Sequence, residues 1–198
     1  MKTHEIRYPV HPYTTFIDFP QDIQNDKVLR RKSLEWLDFE KLVIKLKYQP
    51  EDSYLSAFYD DNDVCYVASG TFLSRICFKS LQTIDFCKIH SRINCVQKID
   101  KFIVIGTMMG DVIFTDLTGN IVFQFMISSI VKGPIGQFKE YKKLIFAIGH
   151  RIITKINITN QKFEIFAEFG SIYGIVFDEI KGTCLVACDT GLISLVID

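Results

Sequence analysis

An all-β fold made of repeated blades is predicted by three features of the sequence. Short apolar stretches alternate with polar turns from Ser53 to the end of the chain. Small or weakly bulky residues close one stretch in each unit, at Ala68, Gly106, Ala147 and Ala187, about forty residues apart. Aromatic residues make up 13% of the chain, with 17 Phe, as suits chains dominated by strands. Units of about forty residues built from short strands are the mark of propeller blades.

The order of elements follows from turn chemistry and alternation. Residues 1–32 are expected to form an extended arm outside the repeats, because Pro9, Pro12 and Pro20 forbid a long helix there. Residues 21–47 fit two patterns. Val28, Leu34, Leu37, Phe39 and Leu42 loosely form a helical face. Strands near 33–37 and 42–47 are favoured, since residues 42–48 end in strand-like alternation.

From residue 53 four blades are expected, at about 53–89, 92–127, 133–169 and 171–198. The loop Asp60-Asp61-Asn62-Asp63 supplies the first turn of the first blade. The fourth blade has three strands by this reading. Residues 42–48 have no blade of their own and are the natural candidate for its closing strand, since an open edge invites pairing.

The second of these units carries a resemblance. His90-Ser91-Arg92-Ile93-Asn94-Cys95-Val96 resembles the start of a WD repeat, with His90 at the His of the family's Gly-His pair. The segment from Gly106 to Gly119 resembles the family's turn and third strand, with Thr115 at the Trp and Asp116 at the Asp of Trp-Asp. The segment opening at Asp189 looks like the same stretch, with Ile197 in place of Trp. No blade keeps both motifs, and the one Trp, Trp36, stands before the repeats, next to Leu37-Asp38.

The resemblance implies a WD-repeat-like β-propeller, or part of one, of about four blades with a non-repeat N-terminal arm. It also implies that His90 and Asp111 form a structural hydrogen-bonded pair inside a blade, with Asp116 and Asp189 as structural turn residues. Rings of this family usually hold more blades. A ring completed by another chain, a small self-closed ring and a piece of a longer protein are therefore all open readings.

Composition narrows the functions. Acidic and basic residues balance at 23 each, which removes the broad electrostatic footprint of a nucleic-acid binder. No apolar run approaches the roughly eighteen residues needed to span a bilayer. The first twenty residues lack the apolar middle of a secretory signal, so a cytoplasmic or nuclear location is expected. The six Cys then read as reduced core residues.

Catalytic and metal-binding patterns are weak. Ser, His and Asp are present, but no nucleophile elbow exists and His4, His11, His90 and His150 are scattered. His150 reads as an exposed turn residue. Cys184 and Cys188 on one strand would stand about 13 Å apart, beyond zinc geometry. Asp60 to Asp63 lacks the glycine and glutamate of a calcium loop, and Gly106 and Gly110 lack a phosphate loop's ending. No catalytic residue, cofactor or metal is expected.

The favoured function is a non-enzymatic protein–protein interaction scaffold within a multiprotein assembly, with other protein subunits as partners. Tyr8, Tyr13 and Phe16, interleaved with prolines, suit docking as an extended peptide. Arg30, Arg31 and Lys32, with Lys27, form a small basic cluster. That cluster keeps an RNA- or ribonucleoprotein-associated propeller open as the alternative.

Overall fold

The computed structural model describes five strands between residues 20 and 59, and residues 64–197 apart from 78, 79, 81 and 179. All nineteen described strands pair antiparallel with a sequence neighbour, giving meander sheets in chain order. The first sheet holds β1 (Pro20–Gln24), β2 (Lys27–Arg30), β3 (Leu34–Asp38) and β4 (Val43–Tyr48). The second holds β5 (Leu55–Tyr59), β6 (Val64–Ser69), β7 (Phe72–Cys77) and β8 (Gln82–Lys88). The third holds β9 (Ile93–Ile99), β10 (Phe102–Thr107), β11 (Val112–Thr115) and β12 (Ile121–Phe125).

A single helical turn, α1 (Ser128–Val131), follows the third sheet. The fourth sheet holds β13 (Ile135–Tyr141), β14 (Leu144–Gly149), β15 (Ile152–Asn157) and β16 (Lys162–Glu168). The last has three strands, β17 (Ile172–Asp178), β18 (Thr183–Cys188) and β19 (Gly191–Val196).

Residues 20–24 and 27–30, within the expected arm, are strands of the first sheet. Val43–Tyr48, within the stretch expected as a closing strand, is β4, and it pairs with β3. A polar stretch such as Lys27–Arg30 can still be a strand, because its ladder bonds come from backbone rather than from apolar side chains.

The core is not one cluster but a series of layers between sheets. Tyr66, Ala68 and Leu73 of the second sheet pack with Ile93, Val96, Ile103 and Ile105 of the third. Val104, Val112 and Phe114 of the third pack with Ile135, Phe138, Ile145 and Ala147 of the fourth. Phe146, Ile148 and Ile153 of the fourth pack with Ile172, Ile175, Cys184 and Val186 of the last. Alternate side chains of one strand thus feed two different layers. That is why the middle strands read as unbroken apolar runs such as Phe102-Ile103-Val104-Ile105: both faces are buried.

The sheets repeat in detail. The innermost strand of each of the last three sheets carries a bulge near its start, at Asn94, Gly136 and Tyr173. Across it, apolar residues three apart face the preceding sheet: Ile93 and Val96, Ile135 and Phe138, Ile172 and Ile175. Edge-to-face ring pairs recur as well, Tyr66–Phe86 and Phe146–Phe166, each at 5.1 Å between centroids.

One anchor of the repeat is displaced. Ala68 faces the following sheet, whereas Ala147 faces the preceding one, and Ile148 holds the equivalent place. A one-residue step along a strand reverses the face, so spacing alone could not separate the two.

Candidate protein-interaction site

The turns at one rim are tied together by polar side chains. Asp111 sits in the β10–β11 turn and is buried. Its backbone N–H donates to Thr107 Oγ1 at 2.9 Å. Its Oδ1 accepts the Ser128 N–H at 2.9 Å, which holds the first turn of α1. Its Oδ2 lies 3.4 Å from His90 Nε2, in the loop before β9. One carboxylate therefore links three successive loops, and a buried carboxylate has its lone pairs used. Asn94 adds a bond between sheets, its Nδ2 donating to the Ile135 carbonyl at 2.8 Å.

A second cluster occupies the same rim of the last two sheets. Asp189, in the β18–β19 turn, accepts the Ser171 N–H at 3.1 Å. His150 is exposed in the β14–β15 turn, and its Nε2 lies 3.3 Å from Ser171 Oγ. Asp189 thus bonds the serine backbone rather than the imidazole. The arrangement lacks the carboxylate that would orient the histidine as a base.

Asp116 lies at the other end of β11 and organises the β11–β12 turn. Its Oδ1 accepts the Thr118 N–H at 2.8 Å, the Thr118 hydroxyl at 2.6 Å and the Asn120 N–H at 3.0 Å. The Thr118 hydroxyl, followed by the neighbouring turn donors, holds the Asp116 carboxyl down at about 2. Asn157 caps the corresponding turn of the fourth sheet, accepting the Thr159 N–H at 3.0 Å.

The structure therefore brings His90 and Asp111 together and leaves Asp116 and Asp189 in separate turns. Tyr8, Tyr13, Phe16, Arg31 and Lys32 lie outside the described residues, and Arg30 is placed only as the last residue of β2. Among the described residues no group of three or more His, Cys, Asp or Glu is placed to hold a metal. Within them, too, no helix is long and apolar enough to cross a membrane. The Cys are free, and burial pushes the Cys95 thiol up to about 12 and the Cys87 thiol to about 11, which makes both poor nucleophiles.

Sequence reasoning missed the outer face of the last sheet. Val176, Leu185, Leu192 and Val196 stand there with 68%, 41%, 70% and 68% of their surface exposed. Pairing aligns Leu192 with Ala187 and Gly174, and Leu185 with Val176 and Ser194, two rows without charge, whereas the row of Val196 runs through Thr183 to Asp178. The sequence shows only an apolar strand. Which of its faces is covered depends on what stands beside it.

No protein-family model matches the chain, and no curated protein matches it. Solved structures do match. The WD40 domain of Neurospora crassa Pan2 aligns with a TM-score of 0.62 at 13% identity, covering 83% of this chain and 56% of that one. The fold is that of WD40-like propeller blades. A chain in the mitotic checkpoint complex gives a TM-score of 0.70 at 10% identity, over 87% of this chain and 57% of that one. The computationally designed Ika8 protein gives 0.68 at 11% identity, over 89% and 57%. This chain spans a little over half the length of these structures.

Proposed function

We propose that the chain is a non-enzymatic interaction scaffold and works as one subunit of a larger protein assembly. The observation that carries this reading is the apolar outer face of the last sheet, where four aliphatic side chains stand exposed in adjoining rows. Contiguous exposed apolar surface marks a protein-interaction site on a globular chain. The polar clusters fit this role. His90, Asp111 and Asp189 spend their hydrogen bonds on neighbouring loops, stiffening the rim rather than presenting reactive groups. Met108, Met109 and Met126 are exposed beside that rim and offer a second, adaptable contact area. A neighbour of the same fold comes from a structure of an assembly, the mitotic checkpoint complex, which supports scaffolding as a use of these blades.

The test is the native mass of the chain purified gently from its source, by light scattering after size exclusion. A particle several times the mass of one chain is expected, with other proteins in fixed ratio. A lone species of single-chain mass overturns the proposal.

A further inference from the structure

We propose that the ridge formed by residues 90–92, 108–110, 126–133 and 149–151 docks an acidic segment of a partner protein that also carries apolar side chains. The inference rests on the scaffold reading and names a surface and the chemistry of the partner.

The ridge is one continuous surface. The Met108 N–H donates to the Arg92 carbonyl at 2.8 Å, which seats the β10–β11 turn on the loop before β9. A Cβ on Gly110 would lie 3.0 Å from Val131 Cβ and 2.7 Å from the Gly133 carbonyl oxygen, so that turn presses on the end of α1. A Cβ on Gly149 would lie 2.9 Å from Val131 Cγ1, so the β14–β15 turn meets the same end.

Two kinds of side chain stand out of this surface. Met108, Met109 and Met126 are 40%, 60% and 54% exposed. They are all the methionines of the chain beyond Met1, and none of the three fills the core. Flexible thioether side chains on a surface adapt to apolar partners. The exposed charges of the ridge are Arg92, Lys132 and Arg151, all positive. The one acid of these turns, Asp111, is 2% exposed and is spent on the Ser128 N–H and on His90. Asp189, on the neighbouring turn, bonds the Ser171 N–H. A chain with 23 acidic and 23 basic residues thus shows one sign of charge here, which selects an acidic partner. The opposite ends of the strands are mixed, with Asp100 near Lys101, Glu140 near Lys142 and Lys143, and Asp178 near Lys181.

Lys132 is a second, independent pointer. It sits at φ 47° and ψ 43°, in the left-handed region, where its N–H closes α1 on the Ser128 carbonyl. Glycine is the usual residue at such a position, and the sequence places its glycine one residue later, at 133. A lysine held on strained backbone points to a use for its side chain.

The mixture decides the class of partner. RNA needs many cations and, where single-stranded, rings to stack on. The ridge has three cations and three thioethers, and no Phe, Tyr or Trp. A polypeptide with Asp or Glu beside Leu, Ile, Met or Phe matches both features. This chain's own acidic runs at 60–63 and 178–179 fall between β5 and β6 and between β17 and β18, whereas the ridge joins the other ends of such strands.

The experiment uses the full chain, tagged and expressed in its source, with a photo-crosslinking residue in place of Met109. The expected result is a crosslink to a segment of another protein in which acidic residues neighbour apolar ones. Three variants then measure capture of that protein at low and high salt. Arg151→Gln should weaken capture roughly threefold at low salt and less at high salt, as for an exposed charge pair. Met108→Ser with Met109→Ser should weaken it roughly tenfold. Lys132→Gly should weaken it roughly threefold and yet melt no lower than the parent, because glycine suits that backbone. A merely structural lysine would leave capture unchanged. A partner that crosslinks through a segment without acids, or whose capture ignores Lys132→Gly and Arg151→Gln, overturns the inference and leaves the scaffold reading standing. An assembly that gives no crosslink from 109 does the same, as does a crosslink into RNA, a second copy or this chain itself, residues 51–52 included. A chain found alone, at single-chain mass, ends both.

Discussion

At the scale of single residues, polar side chains act on backbone geometry. Asp116 shows this most simply, since one carboxylate collects the donors of its own turn. Its folded pKa of about 2 stands below the ordinary 3.8, so the carboxylate is favoured in the folded state. The sign follows: its stabilising effect is complete above about 4 and is lost as pH falls through about 2. We expect thermal midpoints of the parent to fall across that window. Asp116→Ala should start lower at neutral pH and show a smaller fall below pH 4, as thermal melts at stepped pH would reveal. An equal fall in both proteins would show that other carboxylates carry the acid sensitivity.

At the scale of elements, equivalent positions have unequal weight. Phe146 and Leu185 hold the same place in successive middle strands, yet only Phe146 is enclosed. Phe146→Ala should cost about 3–5 kcal/mol, because a buried ring leaves a cavity. Leu185→Ala should cost about 1 kcal/mol or less in the isolated chain, in keeping with a half-exposed side chain. Denaturant titration of the two variants measures both. Similar losses would mean that the outer face of the last sheet is covered in solution.

At the scale of the whole molecule, stability should decline toward the last sheet. Among the described residues, each sheet from the second to the fourth shares an apolar layer with its successor, while the last shares a layer with its predecessor alone. Backbone amides of β10 and β14 should exchange slowest, and those of β19 at least tenfold faster, in native-state hydrogen exchange followed by mass spectrometry. Uniform protection across these strands would contradict the layered core.

Much of this was legible without coordinates. The forty-residue period, the turn residues and the apolar runs from residue 53 onward determine short antiparallel strands in repeated sheets, because alternation and turn chemistry are local properties of the chain. The turn positions of Asp111, Asp116 and Asp189 came instead from the resemblance to WD repeats. Two kinds of fact were decided only by tertiary structure. Ala147 turned out to face backward and Ile148 forward, since register is set by the facing sheet. Val176, Leu185, Leu192 and Val196 look no different in sequence from Val104 or Ile148, and they are exposed because burial belongs to the neighbour as much as to the residue.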